Sequence, residues 1–135
     1  MAAVTSAAAA AMALSLSACG SGTPSASSTS TTKVTVLGSV PLSVPNQITV
    51  RKDVDMINCA ATKGGWSAGG TVRNNLGHPA TYLITVYFTS SQATDLAYAS
   101  TSVAVDQGQS KLWSVRATFN APGVVLCVLR GVAAH

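Results

Sequence analysis

The run Tyr82-Leu83-Ile84-Thr85-Val86-Tyr87-Phe88-Thr89 decides the fold of this chain. Read as a strand, it places Tyr82, Ile84, Val86 and Phe88 on one face and the residues between them on the other. Its β-branched and aromatic side chains suit a pleated, half-buried surface. The flanking stretches read the same way. We expect an edge strand near Ile48–Arg51 and then six main strands: Val54–Ala61, Trp66–Asn74, Ala80–Thr89, Ala97–Val105, Ser110–Phe119 and Val124–Val132. Turn-forming residues separate them: Lys63-Gly64-Gly65, Asn74 through Pro79, Gln107-Gly108-Gln109 and Asn120-Ala121-Pro122-Gly123.

Parity refines this picture, because directly opposed residues of an antiparallel pair share a face. The loop Asn75 to Pro79 predicts Val72 opposite Tyr82 and Trp66 opposite Phe88. The loop Ser90 to Asp95 predicts Phe88 opposite Ala97 and Tyr82 opposite Val103. The last connection is different. Trp113, Val115, Ala117 and Phe119 share one face, as do Val125, Cys127 and Leu129, but a direct hairpin would oppose mismatched residues. An odd loop, a bulge or a crossing between two sheets resolves the conflict, and a crossing suits a sandwich.

Composition agrees. The chain has 135 residues, 47% hydrophobic and 9% charged, and it contains no Glu. That excludes an acidic disordered chain and a helical bundle laced with ion pairs. Val and Thr recur, and no long 3.6-residue pattern follows residue 33, so the expected class is all-β. The net charge is +4, with Lys33 the one basic residue between Gly20 and Val50. No Lys/Arg run with interleaved aromatics occurs, so nucleic acid is not an expected partner.

Residues 1–18 hold an apolar run, Ala7 to Leu16, well short of the ~20 residues that span a bilayer. The string Leu16-Ser17-Ala18-Cys19-Gly20 then resembles the lipobox of bacterial lipoproteins, although Met1 to Ser6 carries no Lys or Arg. The resemblance implies that residues 1–18 are a signal peptide and that Cys19 becomes a lipidated first residue. A diacylglycerol (palmitate-type) anchor would then hold the protein on the extracytoplasmic face of the cell membrane. Two acyl chains anchor stably where one does not, at ~0.8 kcal/mol per buried methylene.

Nine of the thirteen residues from Gly20 to Thr32 are Ser or Thr. Such a segment buries too little apolar surface to offset its ordering entropy. Lys33-Val34-Thr35-Val36-Leu37 alternates and is suited to adding to a sheet edge, and Pro41 and Pro45 forbid a central strand beyond it. We therefore expect a flexible tether over residues 19–46, spanning roughly 30 Å as a coil. A single domain is expected over residues 47–135.

With Cys19 acylated, Cys59 and Cys127 remain as an even pair in an oxidising compartment, and a disulfide between them is expected. It would link the first and last main strands, close a loop of roughly 70 residues, and constrain the unfolded chain by about 4 kcal/mol. Trp66 and Trp113 are expected to pack near it. A redox or metal thiol pair is disfavoured, since the spacing is far from C-x-x-C and both flanks are apolar.

A family resemblance follows from Gly65-Trp66-Ser67-Ala68-Gly69-Gly70-Thr71-Val72-Arg73-Asn74, from Tyr82-x-Ile84-x-Val86-x-Phe88, and from Gly108-Gln109-Ser110 with a late Cys. This pattern, over residues 54–132, resembles the Ig-like, FxLYD-type module of small Gram-positive lipoproteins. It departs from that module at Ser91 to Asp95, where an Asp-Gly turn is usual, and at Gln107, where Pro is usual. The resemblance implies an immunoglobulin-like antiparallel β-sandwich of about seven strands, and it implies no chemistry.

Catalytic signatures are sparse. His78 and His135 are the two histidines, no G-x-S-x-G occurs, and Asp53 and Asp55 follow Arg51-Lys52 as a surface charge cluster. A blue-copper set needs two His, a Cys and an axial ligand such as Met, and no Met follows Cys127. No phosphate or EF-hand loop is present. We expect no enzyme activity and no cofactor or metal. The expected function is that of a binding or structural module in the cell envelope, partnered by envelope proteins or wall polymer. Tyr87, Tyr98, Arg73, Arg116 and Arg130 form its candidate binding surface. Two alternatives remain: a small secreted enzyme or metal or redox carrier, and a weak binder of anionic wall polymer through Arg73, Lys111, Arg116 and Arg130.

Overall fold

The computed structural model describes residues 31–34, 40–121 and 123–135. Its elements are β1 (Thr31–Val34), α1 (Ile48–Arg51), β2 (Val54–Thr62), β3 (Gly65–Arg73), β4 (Ala80–Ser90), β5 (Asp95–Val105), β6 (Ser110–Thr118) and β7 (Val125–Ala134). They form two antiparallel sheets. One has the order β1-β5-β4-β7, the other β2-β3-β6. The protein is an all-β sandwich. The expected signal peptide, Cys19 and most of the tether lie outside the described residues, as do Thr35 to Leu37.

The central run behaves as its alternation dictates. Tyr82, Ile84, Val86 and Phe88 of β4 are all fully buried between the sheets. Across the core pack Ala68 and Val72 of β3 and Trp113, Val115 and Ala117 of β6, and beside them in the same sheet lie Ala97, Ala99 and Val103 of β5. Phe88 meets Phe119 with ring centroids 5.7 Å apart. Phe88 pairs with Ala97 and Tyr82 with Val103, as the loop length predicts.

The predicted pairing of β3 with β4 does not occur. β3 lies between β2 and β6, and the chain passes to the other sheet before β4. The cause is Asn74. Its fully buried side chain donates to His78 O at 2.8 Å and to Val105 O at 2.9 Å, and accepts from Leu76 N at 2.9 Å. Its backbone N and O bond Gln109 O and Gly108 N, both at 2.9 Å. These bonds turn the chain away from β3's plane and tie the β3–β4 connection to the β5–β6 turn. The parity conflict between β6 and β7 has the same resolution: they belong to different sheets.

Ile48–Arg51 is a single helical turn rather than an edge strand. The chain here is already held to the free edge of β7. Gln47 N donates to Val132 O at 2.6 Å, and Asn46 Oδ1 and Gln47 Oε1 accept from Val132 N and Ala134 N. Side-chain bonds thus cover that edge, and the turn drops Val50, 3% exposed, into the core. Tertiary contacts override the β propensity of Ile48, Thr49 and Val50.

Residues 41–46, read in sequence as the end of the tether, lie on the sheet. The Pro41 carbonyl accepts the Tyr87 hydroxyl, and Val44 and Pro45 approach Gly131 so closely that a Cβ there would collide with them. Upstream, β1 adds to the edge of β5, with Thr31 opposite Ser102 and Val34 opposite Ala99.

Candidate functional site

The two outer faces of the sandwich differ. On β4 the outward residues Thr85, Tyr87 and Thr89 are buried, although they point away from the core. Tyr87 is 2% exposed. It is covered by its bond to Pro41, by the Tyr98 ring with centroids 6.1 Å apart, and by the Arg130 guanidinium 5.6 Å from its own centroid. Arg130 reaches it because it is the extra residue of a bulge, where Thr85 faces Gly131 and Val86 faces Leu129. Tyr87 is therefore not the exposed partner anchor expected from sequence. Burial raises its hydroxyl pKa, with Arg130 pulling in the opposite direction.

The outer face of β2-β3-β6 is open. Along β3, Ser67, Gly69, Thr71 and Arg73 have the parity opposite to core residues Ala68 and Val72, so they face outward. Ser114 and Leu112 of β6 oppose Gly69 and Thr71, and Asn58 of β2 opposes Gly69 on the other side. Between Met56 and Asn58 the β2 register shifts, leaving Ile57 as a bulged residue. Ile57 is 69% exposed and Leu112 is 77% exposed.

These side chains bound a shallow groove of about 390 Å³, lined by Ile57, Asn58, Gly69, Gly70, Leu112, Trp113 and Ser114. Two apolar walls stand over a floor of glycine backbone. The floor must be glycine. A Cβ at Gly70 would overlap the Asp55 carbonyl, and one at Gly69 would lie 2.8 Å from Trp113 O. Trp113 stiffens the floor beneath, its Nε1 shared between Asp55 O at 3.2 Å and Thr71 O at 3.1 Å.

The candidate cations divide between the two sheets. Arg73 and Arg116 flank the groove on the outer face of β3 and β6, and Lys111 is half-buried near its end. Arg116 donates to Lys63 O at 2.5 Å, which ties it to the β2–β3 turn. Arg130 lies on the other sheet with Tyr87 and Tyr98. The five residues of the candidate surface are thus not one patch.

A second polar cluster lies at one end of the core. The Tyr82 hydroxyl sits 3.2 Å from both Asp53 Oδ2 and Asn74 Oδ1, and Asn75 Nδ2 donates to Asp53 Oδ1 at 2.7 Å. Burial, then the Asp53 charge, push the Tyr82 pKa up to about 12. Every one of these contacts is internal, so the cluster fastens loops. His78 lies nearby with Nδ1 2.9 Å from Pro79 O. Among the described residues no group of three or more His, Cys, Asp or Glu side chains converges as a metal site.

Sequence reading missed the groove because neither Ile57 nor Leu112 breaks the strand pattern. The Gly69-Gly70 pair inside a strand was the available signal, since glycine there marks a bulge or a close backbone approach. Cys59 and Cys127 form the expected disulfide, with S–S 2.04 Å and Cα–Cα 5.8 Å, linking β2 to β7 across the two sheets. No protein-family model, curated protein or solved structure matches the chain.

Proposed function

We propose that this protein is a lipid-anchored extracytoplasmic lipoprotein whose FxLYD-like β-sandwich is a binding module of the cell envelope, engaging its partner through the outer face of β2-β3-β6. The groove between Ile57 and Leu112 carries this reading. Among the described strand residues Leu126 and Val128 of β7 are also exposed, at 49% and 41%, but Ile57 and Leu112 are more so and stand over a rigid glycine floor. Arg73 and Arg116 lie about 20 Å apart along β3 and β6, and Asp55 opposes Thr71 on the same face, so the rim beyond the apolar walls is charged. An apolar centre with a charged rim is the usual anatomy of a recognition surface. The lipobox-like string at Cys19 and a disulfide suited to an oxidising compartment support the location.

The test uses the full chain in cells. Labelled palmitate should enter the wild type and not Cys19→Ser. A photo-crosslinking residue at Leu112 should give a discrete adduct that Ile57→Ser removes, while the same residue at Ala104 of β5 should give none. Label in Cys19→Ser equal to wild type would overturn the anchor, and equal adducts from both crosslinker positions would overturn the binding face.

A further inference from the structure

The Cys59–Cys127 bridge joins strands at the edges of different sheets, since β2 and β7 each end their own strand order. On the opposite flank β5 packs along β6, and the sandwich is closed by side chains. On this flank β2 and β7 touch sparingly, and the bridge joins them alongside the hydrogen bonds that hold the Asn46–Arg51 segment to β7. Its two sulfurs are not equivalent. Cys59 is exposed, amid a run from Ile57 to Ala61 that is exposed throughout. Cys127 is partly buried, with Sγ 3.9 Å from Ser67 O and its residue packed against the core.

We infer that Cys59 is a site of thiol–disulfide exchange, at which a small thiol or an exposed dithiol opens the bridge while the sandwich stays folded. The incoming thiolate bonds to Cys59 Sγ. The Cys59–Cys127 bond breaks, and its electron pair leaves on Cys127 Sγ, which takes a proton from solvent. With a dithiol, the second thiolate then attacks the mixed disulfide. Cys59 leaves as a thiolate, the dithiol becomes a disulfide, and two electrons have passed to the protein. Attack follows access, and Cys59 is the more exposed of the two residues. The folded state survives because the β5–β6 flank and the loops held by Asn74 do not involve the bridge. Opening unties β2 from β7 while β2 stays paired with β3, two residues from Ile57.

The experiment treats the full native chain with reduced glutathione after any free thiol has been blocked with iodoacetamide, then digests it and locates adducts by mass. The glutathione should sit on the Cys59 peptide in excess of the Cys127 peptide by about tenfold or more. The opening rate should stay flat as urea is raised below the unfolding transition monitored by Trp emission. Adducts shared equally, adducts chiefly on Cys127, or a rate that climbs with urea in step with unfolding would each overturn the inference.

Discussion

The Tyr82 hydroxyl and the Asn74 side-chain oxygen lie 3.2 Å apart, both in fully buried side chains. One residue comes from an inner strand of the larger sheet, the other directly follows β3, the middle strand of the smaller one. Their contact is where the two sheets are joined by hydrogen bonds rather than by apolar packing. Asn74→Ala removes this acceptor, the partner of Leu76 N, and the donors to His78 O and Val105 O. Buried groups left unsatisfied cost about 1–3 kcal/mol each before relaxation, so we expect a loss of about 3 kcal/mol in urea unfolding. Tyr82→Phe keeps the ring and should cost about 1 kcal/mol.

The same hydroxyl makes stability fall in alkali. Tyr82 ionises near 12 in the folded state and near 10 when unfolded. Between those values the unfolded chain releases a proton that the folded chain keeps. Stability from this group is therefore complete below pH 10 and is lost as pH rises toward 12. Tyr87, also raised, acts in the same direction. Urea midpoints at pH 9 and pH 11 should differ more in wild type than in Tyr82→Phe.

Gly70 tests the groove floor. Its missing Cβ would coincide with the Asp55 carbonyl, part of the sheet backbone that cannot move independently. Gly70→Ala should cost about 3 kcal/mol, at the upper end for an overpacked site. Gly77→Ala, with nothing within 4 Å of the added atom, should be close to neutral in the same thermal melt.

Thr101 is 1% exposed, and its Oγ1 has no hydrogen-bond partner among the described residues. A buried hydroxyl without a partner is a net cost, and valine has nearly the same shape. Thr101→Val should stabilise the domain by about 1 kcal/mol, read as a higher urea midpoint with unchanged slope.

Ala93 turns the chain between β4 and β5 at φ 60°. The turn is held by Ser90, whose Oγ accepts from Gln92 N and Thr94 N at 3.2 Å. Left-handed backbone strains alanine, and glycine relieves it at some entropic cost. Ala93→Gly should raise stability by about 0.5 kcal/mol. Ser90→Ala should lower it, and the two effects are to be compared in one calorimetric series.

Much of the fold is a local property of this sequence. Alternation assigns each strand and its inward face, because side chains switch sides at every residue whatever lies next to the strand. Hence the inward sets of β4, β5 and β6 are legible in the text of the chain, and so is the pairing of Cys59 with Cys127. Neighbour choice is not local. Alternation is satisfied equally by a β3–β4 hairpin and by a β3 that leaves for the other sheet, and the buried bonds of Asn74 select the second. The covering of Tyr87 by Pro41, the helical turn at Ile48–Arg51 and the bulge that lifts Ile57 beside Leu112 arise in the same way. Each depends on groups far apart in sequence that meet only when both sheets are in place.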